Sequence, residues 1–162
     1  MNLIEIFNKI RDIQFRIPTS TDDPSMDCDE KHKRLFNLLT KTGYKVRYRV
    51  CSFSWSSLNI PKKILNIQHK DECEHLFLEI FLNNKWVILD ASWDIGLKNI
   101  FTVNEWNGKT NTEIAVKPTE IFPPQKKHEL SHTMNKDAIL EDMKESGKFY
   151  EALNGWLEEN RL

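Results

Sequence analysis

Two β-forming runs, Glu74 to Leu82 and Lys85 to Ala91, flank the pair Asn83-Asn84, and no other stretch limits the possible folds as strongly. Asparagine tolerates the left-handed backbone that a two-residue hairpin turn demands. With Asn83 and Asn84 in the turn, the register places His75 opposite Ser92 and Phe77 opposite Asp90. Side chains alternate along a strand, so His75, Phe77, Glu79 and Phe81 share a face with Trp86, Ile88, Asp90 and Ser92. The other face, Leu76, Leu78, Ile80, Leu82, Val87, Leu89 and Ala91, is almost wholly apolar. His75 and Asp90 become diagonal neighbours with backbones roughly 7 to 8 Å apart, within reach of an imidazole–carboxylate hydrogen bond.

The rest of the chain reads as helices around such a sheet. Leu3, Ile4, Phe7, Ile10 and Ile13 recur at helical spacing, predicting a helix over about 2–13 before Pro18. Asp27 is a good N-cap with Glu30 in capping-box spacing, so a second helix runs over about 28–42 and ends at Gly43. Val46, Tyr48 and Val50 alternate with Lys45, Arg47 and Arg49, a half-exposed strand. Residues 54–72 read as a long loop, 112–116 as a strand, and Pro118, Pro123 and Pro124 as a rigid connection to an amphipathic helix over 136–160. With no internal repeat or linker, residues 1–162 are expected to form a single α+β domain.

Composition narrows the partners. A chain of 162 residues, 40% hydrophobic and 29% charged, has the make-up of a globular protein, and its net charge of -1 offers no footprint for nucleic acid or an anionic membrane. No stretch has the length and apolarity of a membrane span, and the first residues lack a secretory pattern. Three cysteines, Cys28, Cys51 and Cys73, are an odd number, which fits free thiols in a reducing compartment. A cytoplasmic location is expected.

Cys28 would be the first residue of the second helix, on the side that also carries His32, Leu35, Phe36 and Leu39. If that side docks on the aromatic end of the hairpin, Cys28 meets His75. A helix N-terminus and a nearby imidazolium both lower a thiol's pKa, and Asp90 would fix the ring's tautomer. The plain alternative is that Cys28 is a small buried hydrophobe. His32 reads as a structural histidine rather than a rival base, and Glu79 as the ion-pair partner of Arg47 or Arg49. Cys73-Glu74-His75 lacks the second ligand pair of a zinc site, and His128 and His132 lack the glutamate of a metalloprotease helix. No metal or cofactor is expected.

The stretch "DCDEKHKRLFNLLTKTGYKVRYR" resembles the nucleophile helix and following strand of the transglutaminase-like superfamily. "HLFLEIFLNNKWVILDASWD" resembles that family's His-Asp hairpin, with His75, Glu79, Trp86, Asp90 and Trp93 on the pattern. The resemblance covers residues 28–94 and implies a papain-like α+β core, with the nucleophile helix packed on an antiparallel sheet and helices at both ends. It also implies a Cys28-His75-Asp90 triad performing acyl transfer. The chain departs from the family at Met26-Asp27, where a glycine is frequent. The Cys28 backbone amide is the first candidate oxyanion donor, and Gln14 the second. At this length it would be a minimal, stand-alone member.

Two function classes follow. In one, the protein is a thiol acyltransferase or hydrolase acting on peptide or protein amides, with hydrolysis favoured over transfer to an amine. In the other, it is a transglutaminase-like scaffold that binds peptides without turnover. Asp22, Asp23, Asp27 and Asp29 before the helix, and Asp71, Glu72 and Glu74 before His75, make both approaches acidic. A basic peptide or an amine acyl acceptor is therefore the expected partner.

Overall fold

A computed structural model describes residues 1–24, 26–124 and 136–162. Among them are four helices, α1 (Leu3–Arg11), α2 (Cys28–Lys41), α3 (Lys62–Leu65) and α4 (Lys136–Asn160), and four strands. These strands, β1 (Val46–Ser54), β2 (Glu72–Leu82), β3 (Lys85–Leu89) and β4 (Glu120–Ile121), form one antiparallel sheet in the order β3-β2-β1-β4. The architecture is α+β.

The hairpin has the predicted register from the turn to Leu78 and Leu89, but β3 ends there, so the expected pairs Phe77–Asp90 and His75–Ser92 do not form. Asn83 and Asn84 both take positive φ, 48° and 63°, as a type I′ turn requires. Helix ends follow equally local chemistry. Asn2 and Glu5 cap α1 reciprocally. Asp27 accepts from Glu30 N–H at the start of α2. Gly43, with φ 89°, closes α2 while Gly43 N–H and Tyr44 N–H bond back to Thr40 and Leu39 carbonyls, the crossed pair of a Schellman cap.

Two cores share the sheet. On one face Ile6, Phe7 and Ile10 of α1 and Leu35 and Leu39 of α2 pack on Leu78, Ile80, Val87, Leu89 and Ala91. On the other, Phe149, Tyr150, Leu153 and Leu157 of α4 pack with Cys51, Phe53, Phe77 and Trp93. The stripe of α2 thus docks on the apolar face of the hairpin and not on the aromatic one. Apolar area explains the choice: Leu35 and Leu39 bury fully against aliphatic neighbours, whereas the aromatic face must also house the Glu79 ion pairs. Glu79 bridges Arg47 and Arg49 at 2.6 Å each, and the Arg47 guanidinium lies 3.9 Å over the Trp86 ring.

Two further expectations are corrected. Residues 55–57 form a single 3₁₀ turn and 62–65 the short α3, so 54–72 is not an unbroken loop. Residues 112–116 are not a strand. Their neighbour there is Ile88, held by Thr112 N–H on the Ile88 carbonyl and by the Asn111 side chain on Ile88 N–H. A side chain replaces one ladder bond, so no β pairing propagates. The fourth strand is instead the two-residue β4 between Pro118 and Pro123, paired to Cys51 and Ser52 of β1.

The far end of the chain closes on the same frame. Arg161 pairs with the buried Asp94 carboxylate at 3.1 Å and donates to Phe15 O, while Leu162 N–H bonds Gly96 O. A Cβ on Gly96 would meet Arg161 Cγ. Removing one partner of a buried ion pair leaves an uncompensated charge. Arg161→Ala is expected to lower stability by about 3 kcal/mol in urea denaturation.

Candidate active site

The site is made by a gap in the hairpin. Pairing of β2 with β3 stops at Leu78 and Leu89, while β2 continues back to Glu72. β2 is therefore open on that side, and the α2 N-terminus lies against it with Cys28 packed on Val50 and Leu76. Cys28 and His75 both line one cleft of about 1010 Å³, floored by Phe53, Trp55 and Trp93 and walled by α4 through Ile139, Met143 and Tyr150.

At its inner end His75 Nε2 lies 2.7 Å from Asp90 Oδ2. Asp90 is fully buried, yet its carboxylate is well satisfied. Oδ2 also accepts from Ala115 N–H, and Oδ1 accepts from Ser92 N–H and Oγ–H. Against the cost of burial, His75 and these donors hold the Asp90 carboxyl far below the usual range. An ionised carboxylate can only accept, so His75 carries its proton on Nε2 and presents an unprotonated Nδ1 when neutral. The diagonal contact expected from the register is present.

Cys28 departs from expectation. Its thiol donates to Asp29 Oδ1 at 3.7 Å. Burial, and then the carboxylates of Asp29 and Asp27, push the thiol well above its ordinary range, while a backbone hydrogen bond from Leu76 pulls the other way. The residues that suit the helix dipole are the ones that oppose a thiolate, and at this distance they outweigh it. Gln14 is exposed and does not line the cleft, which removes it as an oxyanion donor.

His32 is structural, as expected. Nδ1 bonds Cys28 O at 2.8 Å and Nε2 accepts from Ala91 N–H at 2.9 Å. Lys31 was not foreseen: it is fully buried, with Nζ donating to the carbonyls of Arg11, Ile13 and Ser92. Burial brings its pKa down to about 7, against the pull of Asp94 and Asp90. A lysine among Asp29, Glu30 and Lys33 carries no mark of burial in the sequence. Ser92 N–H and Oγ–H instead close on the Asp90 carboxylate two residues before, an Asx-type turn.

The cleft lining includes seven carboxylates, Asp23, Asp27, Asp29, Glu30, Glu72, Glu74 and Asp142, against Lys33, Arg34 and Lys70. Asp71 instead serves Ser56 and His69. Among the described residues no three His, Cys, Asp or Glu side chains are grouped to hold a metal, and no helix is long and apolar enough to cross a membrane. His128 and His132 lie outside the described residues. Comparison with known proteins found no family model, curated protein or solved structure that matches the chain.

Burial pushes the His32 pKa from 6.5 down to about 4, against the pull of Asp90 and in the same direction as the repulsion from His75 and Lys31. The unfolded chain takes this proton first, so the stability is fully present above pH 6.5 and is lost as pH falls toward 4. Burial pushes Asp27 from 3.8 up to about 7, which acts in the opposite sense over a similar range. The two are separated by comparing proteins. The stability advantage of wild type over His32→Gln is expected to narrow by about 3 kcal/mol between pH 6.5 and 4 in urea denaturation.

Proposed function

We propose that the protein is a cysteine-dependent acyl-transfer enzyme of transglutaminase-like type, with Cys28 as nucleophile, His75 as general base and acid, and Asp90 as the orienting carboxylate. The observation that carries this reading is the buried His75–Asp90 pair, 2.7 Å apart, at the end of a cleft whose rim holds a cysteine on the first turn of a helix. The order of parts supports it as well: a cysteine helix, then a strand, then the strand that carries His75, hairpin-paired to β3, which ends one residue before Asp90.

In this scheme the Cys28 side chain turns from Asp29 toward His75 for the reaction, and His75 Nδ1 takes the thiol proton. The sulfur attacks an amide carbonyl, the C–N bond breaks, and the leaving amine takes the proton back from His75. Water then attacks the thioester, giving its proton to His75, and the free acid leaves while Cys28 recovers its proton. An amine in place of water gives transamidation. Hydrolysis is favoured over transfer to an amine, because water competes wherever a site does not exclude it. The backbone amide of Cys28 is the proposed oxyanion donor. Cys28→Ala abolishes amide cleavage in this scheme, and Asp90→Asn lowers turnover by about four orders of magnitude while the folded far-UV signal is kept. Full activity in Asp90→Asn would remove it from the triad.

The raised Cys28 thiol favours a second reading, a peptide-binding scaffold of the same fold that does not turn over. Iodoacetamide labelling at pH 7, read peptide by peptide, separates the two. Cys51 and Cys73, pushed up to about 12 and about 11 chiefly by burial, are internal standards. Faster labelling of Cys28 that is lost in His75→Ala supports the enzyme, and a rate equal to the standards supports the scaffold.

The carboxylates that set the thiol also set the substrate class, a Lys- or Arg-containing peptide amide or an amine acceptor. Burial raises the Asp29 carboxyl, so Asp29→Asn is expected to raise Cys28 labelling several-fold at mildly alkaline pH, where the ionised carboxylate opposes the thiolate in wild type. The same variant is expected to weaken the preference for basic over acidic peptide amides, a preference that raised salt also erodes.

A further inference from the structure

We infer that His32 is a positioning residue that sets the nucleophile helix against the Asp90 end of the hairpin, through one hydrogen bond to the Cys28 carbonyl and one from the Ala91 backbone amide. The inference rests on the triad reading above. His32 is fully buried one turn after Cys28. Its Nδ1 lies 2.8 Å from Cys28 O and its Nε2 lies 2.9 Å from Ala91 N. A peptide N–H can only donate and a carbonyl can only accept, so the ring is the neutral tautomer with its proton on Nδ1. Both nitrogens are used, which excludes His32 as acceptor of the thiol proton.

What the ring provides is a fixed distance. One rigid plane spans from the peptide of the nucleophile to the peptide that follows the orienting carboxylate. Its edge also lies against the His75 ring, with centroids 6.3 Å apart at 85°, and its Nε2 is 3.6 Å from Asp90 Oδ1. All three triad residues thus meet the same imidazole. Lys31 acts beside it on Ser92 O, so consecutive residues of α2 hold consecutive residues after Asp90. Aliphatic replacement keeps volume but loses both bonds, and small misplacements of reacting groups are costly in rate.

The test is the pH–rate profile of Cys28 alkylation by iodoacetamide in the full chain, with unfolding midpoints measured alongside. His32→Leu loses both bonds. His32→Gln keeps an acceptor near the Nε2 position, and His32→Asn keeps a donor near Nδ1. The expected result is a displaced profile and a roughly tenfold to hundredfold slower His75-dependent rate in His32→Leu, with partial recovery in the other two. A folded His32→Leu with the wild-type profile overturns the inference. If that variant does not fold, wild-type profiles in both His32→Gln and His32→Asn overturn it. His75→Ala separates the levels. If it leaves the profile unchanged, the triad reading itself fails. If it changes the profile and the His32 variants do not, only the positioning role fails.

Discussion

A carboxylate sealed from water has to find its hydrogen bonds inside the protein, and Asp90 recruits them from widely separated parts of the chain. His75 comes from β2, Ser92 from the turn that follows, and Ala115 from the irregular segment beyond. Thr112 and Asn104 hold its backbone N–H and carbonyl. Leaving such a charge unsatisfied would cost several kcal/mol, and the stretch from 98 to 119, with hardly any regular structure of its own, places Asn104, Thr112 and Ala115 on this one residue. The end of β3 at Leu89 belongs to the same arrangement. Past that point the backbone serves Asp90 and α2 instead of the β2 ladder, and the opening left behind is the cleft.

The parts readable in the sequence are those whose causes lie within a few residues. Asn83-Asn84 carries the hairpin register, Asp27 and Gly43 carry the limits of α2, and the Arg47, Arg49 and Glu79 contacts follow from pairing two neighbouring strands. The His75–Asp90 contact was accessible because a register is arithmetic. Misread were the features decided at long range. Which face of the hairpin α2 covers depends on where α1 and α4 go. The 112–116 segment has good strand residues but meets β3 through a side chain. Lys31 looks like a surface residue until three carbonyls from two segments, the end of α1 and the turn after β3, converge on it.

Cys28 shows two local rules in conflict. A helix start favours an anionic sulfur, and it equally favours aspartates, which this chain places on both sides of the cysteine. Dipole and carboxylates were each visible, but their balance depended on burial. Burial of the sulfur does most to disfavour the thiolate, and the neighbouring carboxylates add to it.

The sheet's other border has a bearing on solubility. Among the described residues β1 meets only the two residues of β4 on that side, and its stretch from Val46 to Arg49 has no paired strand there. Such an edge is a template for strand addition. Here prolines at 118, 123 and 124 bracket β4, and the Arg49 guanidinium occupies the Phe122 carbonyl. The prolines and the short β4 leave little of this border for an incoming strand to continue, so the border discourages chains from stacking edge to edge.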